Sequence, residues 1–294
     1  MSILNLLFKR VSASAVFLLF LSSCSENIDE YSSIVKLPDQ ERWLTELCSS
    51  KYKGRRAGTE GCDSVSVYLS KELSDMGYEV FFQDFRYKDS LNLKNLFVKY
   101  SGLSDSLIVV GAHYDGAVYG ENFPAADDNG SGVVAVLSIC KALSEKQTLL
   151  NKSVVLAFWA AEEVTLNSPF NGSRYFINHF DEKNKITHYC NIDCFARKEQ
   201  GVYFYYAPGE DSLGIMMNSL VDKREDTHFD IVVKENEKSN SDYVPFSQSG
   251  YPYFGWNDFD TSGHIHSPRD RMEGISIEKI NGVVDLTVSF LGLL

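Results

Sequence analysis

Four aliphatic residues in a row, Leu107, Ile108, Val109 and Val110, run straight into the stretch GAHYDGAVYGENFPAADDNGSG (111–132). An unbroken apolar run of this length makes a strand buried on both faces, because a strand wetted on one side would alternate with polar residues. A strand covered on both faces needs helices above and below it, which restricts the chain to an α/β architecture. Directly after the stretch, GVVAVLSICKAL (132–143) has the apolar spacing of a helix. His113, Asp115, Asp127 and Asp128 therefore lie where a buried strand ends and a helix begins, at the carboxyl edge of a sheet, where such folds bind ligands.

The same arrangement recurs twice. VVLAFW (154–159) is a second buried strand and ends in Ala160-Ala161-Glu162-Glu163, and the strand predicted over 186–192 ends in Asp193. Strands at 78–85 and 93–100 come before these, and strands at 202–206 and 251–256 follow. Helices are predicted over 38–50, 62–76, 132–144, 172–180, 211–221 and 275–294, while the charged stretch 223–241 reads as loop. The resulting expectation is a three-layer α/β/α sandwich with a mixed, centrally parallel sheet, forming one domain over 38–294.

The amino terminus carries a different signal. A basic pair, Lys9 and Arg10, precedes an apolar stretch over 13–21, then Leu21-Ser22-Ser23-Cys24. This is the layout of a secretory signal, and its end resembles a bacterial lipobox. Residues 1–23 are accordingly expected to be a lipoprotein signal peptide, Cys24 the lipidated first residue of the mature chain, and 24–37 a polar tether. The apolar stretch is shorter than the ~20 residues a spanning helix needs. The expected location is the cell envelope, with the chain held on a membrane through lipid.

Net charge narrows the partners. The chain has 28 basic and 40 acidic residues, a formal charge of -12, and without Lys9 and Arg10 the balance is 26 - 40 = -14. Such a surface disfavours nucleic acid. Setting Cys24 aside leaves Cys48, Cys62, Cys140, Cys190 and Cys194. An odd set cannot all pair, and a Cys48–Cys62 disulfide stays open for an exported protein. Cys190 and Cys194 read as small buried hydrophobes, since a thiolate zinc knuckle needs more partners at tighter spacing.

Taken singly, Asp-Asp in a Gly-rich turn is a solvated turn and Glu-Glu a helix start. Their recurrence at successive strand ends, with His264 and His266 on a later loop, gathers several carboxylates at one sheet edge. That is unfavourable unless cations neutralise them. Carboxylates mixed with imidazoles and no thiolates suit zinc at a catalytic site. Three ligating carboxylates and two neutral imidazoles against two Zn²⁺ leave a net charge of about +1, which one hydroxide cancels. A single metal would leave carboxylates spare.

The ordered set GRRAGTEG (54–61), GAHYDG, AADDNGSG, AEE followed by GSRYF, NID, SDYVPFSQSGYP and HSPRD resembles the co-catalytic zinc aminopeptidases, the exopeptidase family that also contains animal-type glutaminyl cyclases. The resemblance spans nearly the whole mature chain. It implies that Asp127 bridges two zinc ions, with His113 and Asp193 completing one site and Glu163 and His266 the other. It implies that Glu162 is the general base in hydrolysis of N-terminal residues from peptides by zinc-activated hydroxide. Asp115 would orient the His113 ring through its other nitrogen. The family's strained peptide would fall between Asp127 and Asp128, with Asp128 structural and His264 in the loop. Ile265 stands where many aminopeptidases have Tyr and cyclases Trp, so Tyr243 is the candidate hydroxyl for the oxyanion. The alternatives are a glutaminyl-peptide cyclotransferase using one zinc on Asp127, Glu163 and His266, against which the presence of Asp128 is taken to count, and a non-catalytic surface binding lipoprotein, against which Glu162 argues.

Overall fold

The structure is a computed structural model that describes residues 37–87, 91–164, 170–224, 229–236, 240–259 and 262–294. The signal peptide, the lipobox with Cys24 and nearly all of the tether lie outside the described residues.

One eight-stranded sheet organises the chain. Its strands are β1 (Phe81–Tyr87), β2 (Leu91–Tyr100), β3 (Ser104–His113), β4 (Lys152–Trp159), β5 (Ile186–Ile192), β6 (Val202–Tyr206), β7 (Ile231–Glu235) and β8 (Tyr253–Asn257). They lie in the order β1-β2-β4-β3-β5-β8-β6-β7. The β4-β3-β5-β8 centre is parallel, as are β6 and β7, while β1-β2, β2-β4 and β8-β6 pair antiparallel. The sheet is therefore mixed and parallel at its centre, as the buried runs require.

The continuous apolar runs resolve into two faces once paired. Ile108, Val110, Val154, Leu156 and Phe158 point into one core, and Leu107, Val109, Val155, Ala157 and Trp159 into the other. The first core is covered by α1 (Leu37–Leu47), α2 (Glu60–Asp75), α3 (Gly132–Lys146), α5 (Asp211–Val221) and α7 (Ile277–Leu293). The second is covered by α4 (Asn171–His179) and α6 (Tyr243–Gln248), whose Phe176 and Phe246 surround Trp159. Side-chain caps mark two helix starts: Thr59 accepts from the Cys62 amide and Ser276 from the Lys279 amide. Among the described residues no helix is long and apolar enough to cross a membrane.

Two elements depart from the sequence reading. The stretch read as loop contains β7, since the short Ile231-Val232-Val233 run pairs with β6 at the sheet edge. The segment after Asp242 forms the one-turn-and-a-half helix α6, too short for periodicity to reveal. Cys48 and Cys62 are both free thiols, so the pairing left open does not form.

Register aligns the strand ends that carry the polar residues. His113 pairs with Trp159, and Gly111 with Asn191, so His113, the 160–163 segment and Asp193 emerge side by side. Gly111 allows this close fit: a Cβ there would stand 2.3 Å from Trp159 Nε1, a nitrogen that donates to Tyr189 Oη at 2.9 Å. Gly111→Ala is expected to cost ~1–3 kcal/mol by overpacking. Chemical denaturation checks this, and an unchanged midpoint would contradict the fit.

Candidate metal centre

Five side chains converge at the carboxyl edge of the sheet, supplied by separate elements. His113 closes β3, Asp193 follows β5, and Glu163 follows β4 by four residues. Asp128 comes from the turn Ala126–Ser131 that feeds α3, and His266 from the loop after β8. They form two groups whose ligand-type atoms lie within 4.8 Å of one another: His113, Asp128 and Asp193, and Asp128, Glu163 and His266.

Asp128 is common to both groups, and it uses a different oxygen for each. Its Oδ1 is 3.4 Å from His113 Nε2, and its Oδ2 is 2.9 Å from His266 Nε2. Asp193 Oδ1 is 3.3 Å from His113 Nε2, and Glu163 Oε1 is 2.9 Å from His266 Nε2. Every one of these acids is buried, and so is His113; His266 is half exposed.

The residue common to both groups is Asp128, and not Asp127 as expected from the sequence. Asp127 turns away from both imidazoles, and its Oδ1 accepts the Ala196 amide at 2.9 Å. Adjacent residues in a tight turn point to opposite sides, and sequence alone does not say which one faces inward. The special peptide is displaced in the same sense: the cis bond joins Asp128 to Asn129, not Asp127 to Asp128. Since Asp128 is the residue in the centre, its presence also carries no weight against the cyclase reading.

Asp115 does not hold the His113 ring with its carboxylate. The ring's Nδ1 lies 3.1 Å from the Asp115 backbone carbonyl, while the carboxylate is 3.7 Å away. That carboxylate accepts the backbone amides of Glu162 at 3.1 Å and Glu163 at 3.2 Å, fixing the acidic pair after β4. Glu162 lines the same cavity as His113, Asp128, Glu163, Asp193 and His266, a space of about 370 Å³ bounded on its apolar side by Phe170, Phe259 and Ile265. Tyr243 does not reach that cavity; it stacks on Tyr253 in the second core. His264 joins neither group and contacts Ser262.

Three supporting residues had no role assigned from sequence, although the motifs contained them. Ser241 donates to Asp193 Oδ2 at 2.6 Å, leaving Oδ1 toward His113. Asp242, buried and pushed up to about 7 by that burial, accepts from Ser173 Oγ at 2.5 Å. Asp270 accepts the amides of Asp127 at 2.7 Å and Asp128 at 3.1 Å. Only their place within SDY and HSPRD pointed to them, and a motif does not reveal which atom a side chain meets.

Residues 95–291 match the family described as peptidase family M28. The chain belongs to that family. It is 26% identical over 214 residues to leupeptin-inactivating enzyme 1 of Streptomyces exfoliatus, covering 72% of this chain and 46% of that protein. The chain spans less than half the length of the curated relatives it matches first. Its fold is similar to BSAP, a zinc aminopeptidase from Bacillus subtilis, with a TM-score of 0.72, 14% identity, and coverage of 88% of this chain and 95% of the other. It is equally similar to a Porphyromonas gingivalis glutaminyl cyclase, with a TM-score of 0.73, 20% identity, and coverage of 88% and 98%. The M28 fold thus carries both of the enzyme classes weighed from the sequence.

The electrostatics of this M28 site are dominated by its buried acids. Burial, with the neighbouring Asp128 adding to it, pushes Glu163 up to about 8. Burial likewise raises Glu162 well above the carboxylate range, against the opposing pull of His113. Contacts with Asp128 and Glu163 push His266 up to about 10. Both shifts favour the protonated form of each group over the form that binds a metal ion. Both pKa values lie above the unfolded values, so their contribution to stability is complete below about pH 4.5 and is lost as pH rises through about 8 and then about 10.

A metal ion requires Glu163 ionised and His266 neutral, so binding must expel those protons. Zinc added to the metal-free protein at pH 7 is expected to release at least one proton per chain. Calorimetry in buffers of differing ionisation enthalpy measures this, and a buffer-independent heat would refute the protonation assignment.

Proposed function

We propose that the chain is a zinc-dependent exopeptidase that hydrolyses the N-terminal residue from peptides. The observation that carries this reading is the shared carboxylate: Asp128 offers one oxygen to each of two imidazole-carboxylate groups, with Glu162 facing the same cavity.

The donor set fits zinc on its own chemistry. The Asp115 carbonyl can only accept, so a hydrogen bond there puts the ring proton of His113 on Nδ1 and leaves Nε2 facing two carboxylates. That nitrogen needs a positive partner: burial opposes a proton there, Asp193, Glu162 and Asp128 favour one and raise His113 well above the usual imidazole range, and a divalent ion held by Asp128 and Asp193 would take the same place. Glu163 Oε1 gives the same indication: it is buried, 2.9 Å from His266 Nε2, and makes no hydrogen bond. Asp128, Asp193 and Glu163 with two neutral imidazoles balance two divalent ions to about +1, the sum expected from composition. His113 and Asp193 would complete one site on Asp128, and Glu163 and His266 the other.

Bound zinc supplies Lewis acidity, polarising the scissile carbonyl and acidifying water toward pKa ~7. The chain does the remaining work. Glu162, desolvated and therefore a stronger base than an exposed carboxylate, takes the proton of the attacking water and returns it to the leaving amine. Asp115 holds that residue in place through the backbone amides of Glu162 and Glu163. Glu162 and Asp258, cavity-lining acids outside the proposed ligand set, would attract a free α-amino group and so favour cleavage at the N-terminus. Phe170, Phe259 and Ile265 offer an apolar surface for the side chain that follows it. The proposal includes export and envelope attachment through a lipid on Cys24, which rests on the sequence of residues 1–24.

The purified chain is expected to hold close to two zinc ions and to release amino acids from unblocked peptides. Glu162→Gln should keep the metal and lose ~10²- to 10⁴-fold in turnover, the usual worth of a general base. Metal analysis and an aminoacyl substrate panel test both points. Retained turnover in Glu162→Gln would sink the mechanism. One zinc per chain, with ammonia released from N-terminal glutamine and no free amino acid, would instead support a glutaminyl cyclase using Asp128, Glu163 and His266.

A further inference from the structure

One fully buried cation in this fold donates only to backbone carbonyls. Arg55 directs Nε to Tyr114 O at 3.1 Å, Nη1 to Leu47 O at 2.9 Å and Pro124 O at 2.6 Å, and Nη2 to Ala125 O at 2.9 Å. Burying a guanidinium is costly unless its donors are satisfied, and here the planar fork is matched to several carbonyls at once. Tyr114 sits between His113 and Asp115, and Pro124 and Ala125 lead into the turn that carries Asp128. Arg55 therefore ties the end of β3 to that turn.

The next peptides of the turn are held with the opposite polarity. The Ala126 amide donates to the Asp270 carbonyl at 3.3 Å, and the Asp127 and Asp128 amides donate to the two oxygens of the Asp270 carboxylate. Ala125 adopts a left-handed φ of 51°, unusual for a residue with a Cβ, at the junction between the two grips. Asp270 is also four residues from His266 in the same loop. Carbonyls on one side of the junction are gripped by a cation, and amides on the other side by an anion.

We propose that Arg55 and Asp270 are positioning residues that together aim Asp128 between the two halves of the site, Arg55 tying it to the His113 strand and Asp270 to the His266 loop. This rests on the reading of Asp128 as the shared ligand. Neither residue touches the ligand-type atoms; each acts through the backbone of the turn. A device that holds the shared ligand governs how well two ions are retained together.

The test uses zinc alone and the full chain. Asp270→Asn keeps the side-chain volume and one acceptor oxygen; Arg55→Lys keeps the buried charge and loses the fork. Each is expected to weaken binding of one zinc by ~10- to 100-fold in competition with a chelating dye, the usual effect of removing support behind a ligand. At saturating zinc, kcat should fall while KM holds. In the double variant the losses should combine to less than their product, because both act on one turn. A lowered unfolding temperature with zinc affinity and kcat unchanged would overturn the proposal, and so would losses that multiply independently. Should one variant not fold, the other decides. A wild-type chain that binds no zinc overturns the proposed function; a zinc-binding wild type with both variants unchanged overturns this inference alone.

Discussion

The structure depends on one carboxylate being shared. Asp128 presents separate oxygens to His113 and His266, and without it the site would be two unconnected halves. One half is built on the ends of β3 and β5. The other comes from the segment after β4 and the loop after β8. Burying this many acids without counter-charge is expensive. Burial raises Glu163, and contacts with Asp128 and Glu163 raise His266, so both groups record the crowding of acids at this edge.

The acids around the edge divide into two kinds according to what their oxygens meet. Asp115 and Asp270 each accept two successive backbone amides, one on each oxygen, which turns them into braces for the acidic segments beside them. Asp127 accepts the Ala196 amide through Oδ1, while its buried Oδ2 makes no hydrogen bond. Asp128, Asp193 and Glu163 face imidazole nitrogens instead. A carboxylate bonded to amides is held at fixed geometry by them, although burial still raises both Asp115 and Asp270, the latter to about 6. One facing imidazole Nε2 still needs a cation. The division therefore follows from hydrogen-bond satisfaction and not from residue type.

Much of this was legible in the chain because buried strands announce themselves. The runs at 107–110 and 154–159 carry no polar residue, so the sheet centre and the polar residues at its edge could be read directly. His113, Glu162, Glu163, Asp193 and His266 were identified in this way and by resemblance, and the structure brings all of them to one cavity. The errors share a cause. Asp127 and Asp128 are adjacent and chemically identical, and only the path of the turn decides which faces in. Tyr243 was a candidate by residue type, yet α6 directs it into the second core. The carboxylate of Asp115 lay near enough to His113 in sequence to suggest the ring, but two amides from the segment after β4, distant in sequence, claimed it.

By itself the sequence determined the layering, the sheet centre, the family resemblance and the inventory of acids and imidazoles, because these follow from local pattern and ordered motifs. It could not determine which oxygen of which acid meets which nitrogen. That was decided by tertiary contacts between residues far apart in the chain: Arg55 on the carbonyls before the turn, Asp270 on the amides within it, and Ser241 behind Asp193. Pattern records which side chains are buried, whereas ligand geometry depends on backbone direction at the ends of strands. Contacts from other elements set that direction.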